Sequence, residues 1–220
     1  KDATKTPGSL NQLLGGRIRV CCSGGAALPG HVEELFSHQN IALLSGYGLT
    51  ETSPVITIST LKENRRGTVG KPLRDVEIRI AADGEILTRG PHVMKGYYND
   101  PVATTEVIRD GWLHTGDLGT LSDDGYLTIT GRKKEMIVLS TGKNVSPVNI
   151  ELMLVDIPLI LRAFVLGNDR SSLAALIVPN PKVLRGEIIH RSIAVSSPEE
   201  ACSHPQIMEI YRTTLAERLK

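Results

Sequence analysis

Two short apolar segments of the sequence each end in a glycine-rich loop, and this repeated pattern constrains the fold more than any other feature. Residues 20–22 are apolar and β-prone, Gly24 and Gly25 break the strand, and Pro29 suits the first turn of the helix that follows. The segment IALLSGYG, which begins at Ile41, repeats the arrangement of a strand that ends in a glycine loop. Because α/β folds place ligands at such strand ends, we expect a binding site at this edge.

The pattern changes between residues 67 and 130, where short stretches alternate apolar and polar residues. Asp-Gly turns at residues 83–84 and 124–125 separate these stretches, which predicts a small antiparallel sheet or β-barrel. A helix over residues 101–108 interrupts it. Beyond a boundary near Arg132 the sequence predicts a helix, two strands and further helices, so we expect an α+β fold with two parts.

Composition and charge exclude several classes of protein. The net charge is +1, which favours neither nucleic acid nor an anionic membrane as a partner. The apolar runs are far too short to span a bilayer. The three cysteines have no metal-type spacing, which favours buried thiols in a reducing cytoplasm. We therefore expect a cytoplasmic protein, with peripheral attachment to a membrane left open.

The segment SGYGLTETSP, residues 45–54, has the residue types of a nucleotide site. Gly46 and Gly48 let the backbone approach a ligand closely, and Tyr47 between them can lay its ring on a flat heterocycle. Thr50 can donate to a phosphate oxygen, and Glu51 can ligate Mg²⁺, a hard cation that prefers oxygen ligands. The alternative is a strand-to-loop corner with a tyrosine in the core.

Three other segments carry candidate residues. In SGGAAL the small residues Gly24, Gly25 and Ala26 leave room for a bulky ligand, although glycine loops before helices also occur for packing reasons. In GWLHTGDLG the carboxylate of Asp117 can accept hydrogen bonds from a ribose diol or form an Asx-type turn. In GRKKEMIVL, Arg132 can contact a phosphate or a ribose, or belong to a solvated charged turn.

Several other classes of site find no support in the sequence. It contains no GxSxG nucleophile elbow, no GxxxxGK[ST] phosphate loop and no His/Cys cluster with metal-ligand spacing. His114 is interpreted as a polar strand residue and not as an acid–base group. The hydrolase and P-loop classes are therefore disfavoured.

Taken in order, these motifs resemble the adenylate-forming superfamily and, more narrowly, its long-chain fatty acid–CoA ligases. The resemblance runs from about residue 15 to the end of the sequence. The motifs that carry it are SGGAAL, GYGLTETSP, RGTVGKP, GEILTRGPHVMKGYYNDPVATTEV, DGWLHTGDLG, GYLTITGRKKEMIVLSTGKNVSP and LAALIVPN.

The resemblance implies an activity and a role for each candidate residue. Enzymes of this superfamily use ATP and Mg²⁺ to convert a carboxylic acid to an acyl-adenylate, and CoA or another thiol then takes the acyl group. The roles implied are adenine stacking for Tyr47, phosphate binding for Thr50, Mg²⁺ binding for Glu51, ribose binding for Asp117, and ribose or α-phosphate binding for Arg132. The implied pocket also includes Gly24, Gly25, Ala26, Gly46 and Gly48, and Lys134 is the implied hinge.

The resemblance also implies a domain organisation. Residues 1–131 correspond to the C-terminal part of a large AMP-binding domain that carries a small β-barrel subdomain. Residues 132–220 correspond to a small α/β lid domain that stops before the catalytic lysine motif. The phosphate-binding loop of the family is not found in the sequence either, so we expect this chain alone not to catalyse adenylation.

The sequence leaves two alternative functions open, and it also predicts self-association. The alternatives are an acyl-carrier-protein or aryl-acid ligase of the same superfamily, and a non-catalytic nucleotide-binding module. If the front of the large domain is absent, apolar residues such as Val20, Ile41 and Leu43 need another partner, and we expect this chain to self-associate.

Overall fold

The chain folds into two compact units. The structure is a computed structural model, and it describes residues 10–218. The first unit runs up to Ile137 and includes Asn144–Ser146, whereas the second holds Val138–Lys143 and the chain from Pro147 onward. Each unit is described by itself.

Among residues 10–218, the first unit contains strands, short helices and two turns of 3-10 helix, the latter at Thr50–Thr52 and Lys133–Glu135. Its helices are α1 (Leu10–Leu13), α2 (Gly30–His38) and α3 (Pro101–Val107). Its strands are β1 (Val20–Ser23), β2 (Ala42–Tyr47), β3 (Thr57–Ile58), β4 (Lys71–Pro72), β5 (Glu77–Ile80), β6 (Glu85–Arg89), β7 (Ile108–Arg109), β8 (Trp112–Leu121) and β9 (Leu127–Arg132). Strands β10 (Ile137–Val138) and β11 (Asn144–Val145) form a separate two-stranded sheet.

A four-stranded sheet in the order β1-β2-β3-β4 carries the glycine loops. Strands β1 and β2 are parallel, with Ser23 opposite Ser45, so both strands end at the same edge. The loop from Gly24 and the residues around Gly46 therefore lie side by side, as the sequence predicted. Ile41 is buried at 2% exposure, and its N–H donates to the Phe36 carbonyl at the end of α2.

This burial corrects one expectation from the sequence. Val20 is 39% exposed and Leu43 is half-buried, but Ile41 belongs to the core and offers no surface to a partner. The prediction that Ile41 needs an external partner is wrong.

The antiparallel region predicted after residue 67 forms a second sheet, in the order β5-β6-β8-β7 with β9 paired to β8. Strand β6 lies in the middle and is buried from Glu85 to Thr88, beside the apolar core residues Leu113 and Leu127. The sheet is open, because no ladder joins β5 to β9 among the described residues. The expected β-barrel is therefore not closed. The alternation of apolar and polar residues is a property of each strand by itself, but closure of a barrel depends on pairing between distant strands.

One aromatic side chain on this sheet has charged neighbours. Trp112, at the start of β8, has the guanidinium carbons of Arg79 and Arg89 at 4.9 and 4.7 Å from its ring centre. Arg89 also forms an ion pair with Glu77 across the exposed face of β5 and β6, with a nitrogen–oxygen distance of 2.6 Å. These contacts lie at the start of β8.

The second unit packs helices on one two-stranded sheet. Its elements are α4 (Pro147–Val155), β12 (Ile160–Leu166), β13 (Ala174–Pro179), α5 (Pro181–His190), α6 (Pro198–Ser203) and α7 (Pro205–Arg218). The sequence of helix, two strands and helices matches the prediction, with a break at His204. The buried core includes Leu154, Ile160, Val165, Leu184 and Ile207.

The two strands of this sheet are antiparallel, with Phe164 opposite Leu176. Both of these side chains are exposed, as are the neighbouring Leu166 and Val178. One face of the sheet is therefore apolar and uncovered by the described residues. No helix of residues 10–218 is both long enough and apolar enough to cross a membrane.

Candidate nucleotide site

The GYG turn has a backbone that only glycine allows at its last position. A Cβ added to Gly48 would lie 1.9 Å from the carbonyl oxygen of Pro54. The following 3-10 turn is held by the buried Thr52, whose Oγ1 accepts from the Leu49 N–H at 2.8 Å and donates to the Leu49 carbonyl at 2.9 Å. This turn leaves Thr50 exposed, and its hydroxyl makes no hydrogen bond to the residues that the structure describes.

Three of the predicted site residues are in contact, with the buried carboxylate of Asp117 between Tyr47 and Arg132. We call these three residues the Asp117 cluster. Asp117 is 6% exposed. The Tyr47 hydroxyl donates to its Oδ2 at 2.8 Å, and Arg132 Nε donates to its Oδ1 at 2.8 Å. Strands β8 and β9 pair with Asp117 directly opposite Arg132, so the sheet register itself creates the ion pair.

The electrostatics of the Asp117 cluster keep each donor protonated. Burial raises the pKa of the Tyr47 hydroxyl, and the negative charge of Asp117 raises it further. The hydrogen bond to Asp117 raises the pKa of Arg132. An ionised carboxylate has about four lone-pair sites, so Asp117 retains acceptor capacity for further hydroxyl donors. The arrangement suits a vicinal diol.

The second predicted carboxylate, Glu51, is held separately. The Tyr97 hydroxyl donates to Glu51 Oε1 at 2.8 Å, and the Glu51 carbonyl accepts from the Met94 N–H at 2.8 Å. The hydrogen bond to Glu51 also raises the pKa of Tyr97. Within residues 10–218, Oε2 of Glu51 makes no hydrogen bond, so it is available to a hard cation.

A cleft of about 630 Å³, a volume in the range of small-molecule sites, is lined by one member of the Asp117 cluster, Arg132, whereas Tyr47 and Asp117 do not line it. Its lining includes Glu51, Tyr97, Arg132 and Lys134. Lys134 is exposed in the 3-10 turn after β9 and makes no hydrogen bond or ion pair to the part of the chain that the structure describes.

The small residues of the SGGAAL loop lie at the sheet edge beside the GYG strand. A Cβ on Gly24 would lie 3.2 Å from the Gly46 carbonyl oxygen, and a Cβ on Gly46 would lie 3.3 Å from the Thr57 carbonyl oxygen. Gly25 has a positive φ of 82° and, like Ala26, is exposed. These glycines have a packing reason to be small, and their role toward a ligand stays a prediction.

Sequence reasoning missed a third carboxylate, Glu85, which is buried at 6% exposure. Its Oε1 accepts from the Gly116 N–H at 2.9 Å, and its Oε2 lies 3.1 Å from both His114 Nδ1 and Lys133 Nζ. His114 is thus a strand residue paired with a carboxylate. The only local signal for Glu85 was its place after an Asp-Gly turn, and nothing in the sequence showed which residues it would face.

Comparison with models of known protein families identifies the family of this chain. The family model for AMP-binding enzymes matches residues 3–98, and the model for the C-terminal domain of AMP-binding enzymes matches residues 134–209. This chain belongs to the adenylate-forming, AMP-binding enzyme family. The resemblance drawn from the sequence is confirmed.

Individual relatives of this AMP-binding family chain include fatty-acid ligases. A long-chain-fatty-acid–CoA ligase of Mycobacterium bovis is 45% identical over 177 residues, which cover 80% of this chain and 30% of the relative. A chloroplastic long-chain-fatty-acid–[acyl-carrier-protein] ligase of Arabidopsis thaliana is 40% identical over 180 residues, which cover 72% of this chain and 25% of the relative. The narrower resemblance to long-chain fatty acid–CoA ligases is therefore also confirmed.

A solved structure supports the same fold. The O-succinylbenzoate coenzyme A synthetase of Bacillus subtilis, in complex with ATP and a magnesium ion, matches with a TM-score of 0.67 and 32% identity. The match covers 74% of this chain and 37% of that protein. The AMP-binding family chain therefore spans about a third of the length of the relatives that it matches.

Proposed function

We propose that the protein is an ATP-dependent fatty acyl-CoA synthetase and that this chain supplies much of its nucleotide site. In the first step a fatty acid carboxylate attacks the α-phosphate of ATP, which forms the acyl-adenylate and releases pyrophosphate. In the second step the thiol of CoA attacks the acyl carbon and AMP leaves. The observation that carries the proposal is the Asp117 cluster in a chain of the AMP-binding family.

Each residue of the cluster has a role in this proposal. Asp117 accepts hydrogen bonds from the ribose hydroxyls, Tyr47 stacks on the adenine, and Arg132 reaches the ribose or the α-phosphate. Arg132 and Thr50 stabilise the charge that develops on the transferring group, because fixed donors act there without reorganisation. The glycines of the two loops, with Ala26, form the floor of the adenine and acyl pocket.

The residues present suit magnesium brought by the nucleotide. Residues 10–218 hold no group of three or more His, Cys, Asp or Glu side chains that could bind a metal alone. Mg²⁺ commonly binds through one or two carboxylates plus substrate phosphates, and Glu51 has an oxygen available for this. When bound, Mg²⁺ supplies Lewis-acid stabilisation of phosphate charge.

The domain assignment is part of the proposal. Residues 1–131 are assigned to the large AMP-binding domain and residues 132–220 to the lid, with Lys134 as the hinge between the adenylation and thioester steps. A few residues at the end of an element can absorb such a rotation. The proposed location is the cytoplasm.

Two relatives support the alternative acceptors and acids. The Arabidopsis relative is named for an acyl-carrier-protein acceptor, and the Bacillus subtilis structure is named for an aryl acid. A carrier-protein or aryl-acid ligase is therefore the second candidate.

The test is ATP–pyrophosphate exchange by the full-length gene product with Mg²⁺ and acids from acetate to palmitate, plus 2-succinylbenzoate. We expect exchange with long-chain acids, a loss of at least about 100-fold for Asp117→Ala, and no change for the control Glu77→Gln, whose ion pair is exposed. The 220-residue chain alone is expected to show no exchange. Binding of AMP by the full-length protein without exchange for any acid would instead support a nucleotide-binding module.

A further inference from the structure

We propose that Glu85 is a positioning residue of the nucleotide site, which holds Asp117 and Arg132 in the geometry that recognises a ribose diol. The inference rests on the proposed function, since it assumes that the Asp117 cluster binds a nucleotide. Glu85 does not touch the cluster directly. It acts through the residues next to each member of the ion pair.

The topology shows how one carboxylate reaches both sides of the pair. Gly116 immediately precedes Asp117 on β8, and Lys133 immediately follows Arg132 at the end of β9. Glu85 accepts from the Gly116 N–H at 2.9 Å and from Lys133 Nζ at 3.1 Å. The two strands that carry the pair are therefore tied to the same side chain.

The hydrogen bonds of Glu85 lie where the backbone around Gly116 and Asp117 is irregular. Gly116 has a positive φ of 72°, and the pairing of β6 with β8 shifts register between Glu85 and Leu87. Asp117 follows directly, and the β8–β9 ladder shifts again after Leu118. Ladder hydrogen bonds alone do not fix such a segment, so the bonds to Glu85 add to the one that Thr115 Oγ1 accepts from the Asp117 N–H at 3.1 Å.

A carboxylate is required at this position and an amide is not equivalent. Oε1 meets a backbone N–H, while Oε2 meets Lys133 and His114 at 3.1 Å each. Burial alone would raise the pKa of Glu85, but the hydrogen bonds from His114, Lys133 and the Gly116 N–H lower it, so the group is ionised at neutral pH. An ionised carboxylate accepts on both oxygens, whereas a glutamine would turn an NH₂ toward one set of donors.

The test compares the affinities for AMP and for 2′,3′-dideoxy-AMP, which lacks the diol. They are measured by isothermal titration of the full-length protein and of its Glu85→Gln variant. A site built to hydrogen-bond hydroxyls rejects the analogue that lacks them, so we expect the unsubstituted protein to prefer AMP by at least about tenfold. In Glu85→Gln the preference falls to about twofold or less, with the affinity for the dideoxy analogue unchanged. A merely structural loss would weaken both ligands equally.

A second variant and a control complete the test. Lys133→Gln removes the contact between Glu85 and Lys133 and leaves the Glu85 carboxylate with His114 and Gly116. It therefore tests the role of Glu85 if Glu85→Gln does not fold. It is expected to lower the preference about threefold. The control Glu77→Gln removes a carboxylate of the same sheet that pairs with Arg89 on the exposed face, and it is expected to keep the full preference.

The possible failures separate the two proposals. If the unsubstituted full-length protein binds no AMP, or does not distinguish AMP from the dideoxy analogue, the proposed nucleotide site itself is overturned, and the role of Glu85 with it. If it does distinguish them and the folded Glu85 and Lys133 variants distinguish them equally well, only the role of Glu85 is overturned.

Discussion

At the scale of single residues, the hydroxyl of Tyr47 is the clearest link between chain positions far apart. It joins the end of β2 to Asp117 on β8, 70 residues later in the chain. The sequence predicted a chemical role for Tyr47, Asp117 and Arg132 one at a time, because each lies in a motif. That they touch depends on sheet register and loop path, which short motifs do not encode.

We predict that Tyr47→Phe weakens AMP binding about threefold to tenfold, because the Asp117 carboxylate loses one of its two donors and keeps the bond from Arg132. Isothermal titration of the full-length protein with AMP would measure the change. The matched control is Tyr98→Phe, since Tyr98 is 93% exposed, and its affinity should not change. Equal affinities for Tyr47→Phe and the unsubstituted protein would show that the hydroxyl does not orient Asp117.

The lowered pKa of Glu85 predicts a pH-dependent contribution to stability. Its ordinary value is 4.5, and a carboxylate with a lowered pKa stabilises the fold above that value and loses the effect as the pH falls through the lowered pKa. The charged or titratable groups that face it are His114 and Lys133, and Lys133 also pairs with Asp83 at 2.6 Å.

The difference in free energy of unfolding between the unsubstituted chain and Glu85→Gln should therefore be largest above pH 4.5 and shrink below it. Urea denaturation at pH values between 3 and about 7 measures this difference, in the range where the ordinary Glu pKa lies. A difference that grows as the pH falls would contradict the assignment of Glu85 as an ionised acceptor.

At the scale of elements, local patterns predicted most strands and helices, and long-range pairing accounts for what was missed. The helix expected over residues 101–108 forms as Pro101–Val107, with the Asp100 side chain accepting from the Ala103 N–H at its start. The expected barrel failed because alternation reports which face of a strand is buried and not which strand lies beside it. Glu85 was missed for the same reason, since its partners lie 29 to 48 residues away.

The GYG turn gives a prediction at this scale. Gly48→Ala should destabilise the first unit by about 2 kcal/mol or more, because the new Cβ would collide with the Pro54 carbonyl and the backbone must move. The control is Gly186→Ala in α5, where the Cβ meets nothing within 4 Å and alanine favours the helix. Chemical denaturation should show Gly186→Ala as neutral or stabilising, and an equally small effect at Gly48 would refute the collision.

At the scale of the whole molecule, the sequence motifs were enough to place the chain in its family, because they occur in the right order along nearly all of it. The uncovered apolar face of β12 and β13 was not predicted. Each strand looked like an ordinary core strand, with residues such as Phe164 and Leu176 that are usually buried. Burial depends on what packs over a sheet, and a strand's own sequence does not state that.

Self-association of the chain remains a prediction, and this face now gives it a location. Phe164 and Leu176 lie opposite each other and are exposed, beside Leu166 and Val178. We expect sedimentation velocity to show dimers or larger species that decrease in Phe164→Ser/Leu176→Ser. A control pair on the polar surface, Arg212→Ser/Glu209→Ser in α7, should sediment like the unsubstituted chain. A monomer at all concentrations would contradict the prediction.

The position of the chain's single tryptophan has a practical consequence. Trp112 stands at the start of β8, five residues before Asp117, with two guanidinium groups against its ring. Its intrinsic fluorescence therefore reports on the first unit alone, while the second unit is optically silent in the tryptophan band. Emission followed beside circular dichroism during unfolding would show which unit melts first, without any label or mutation.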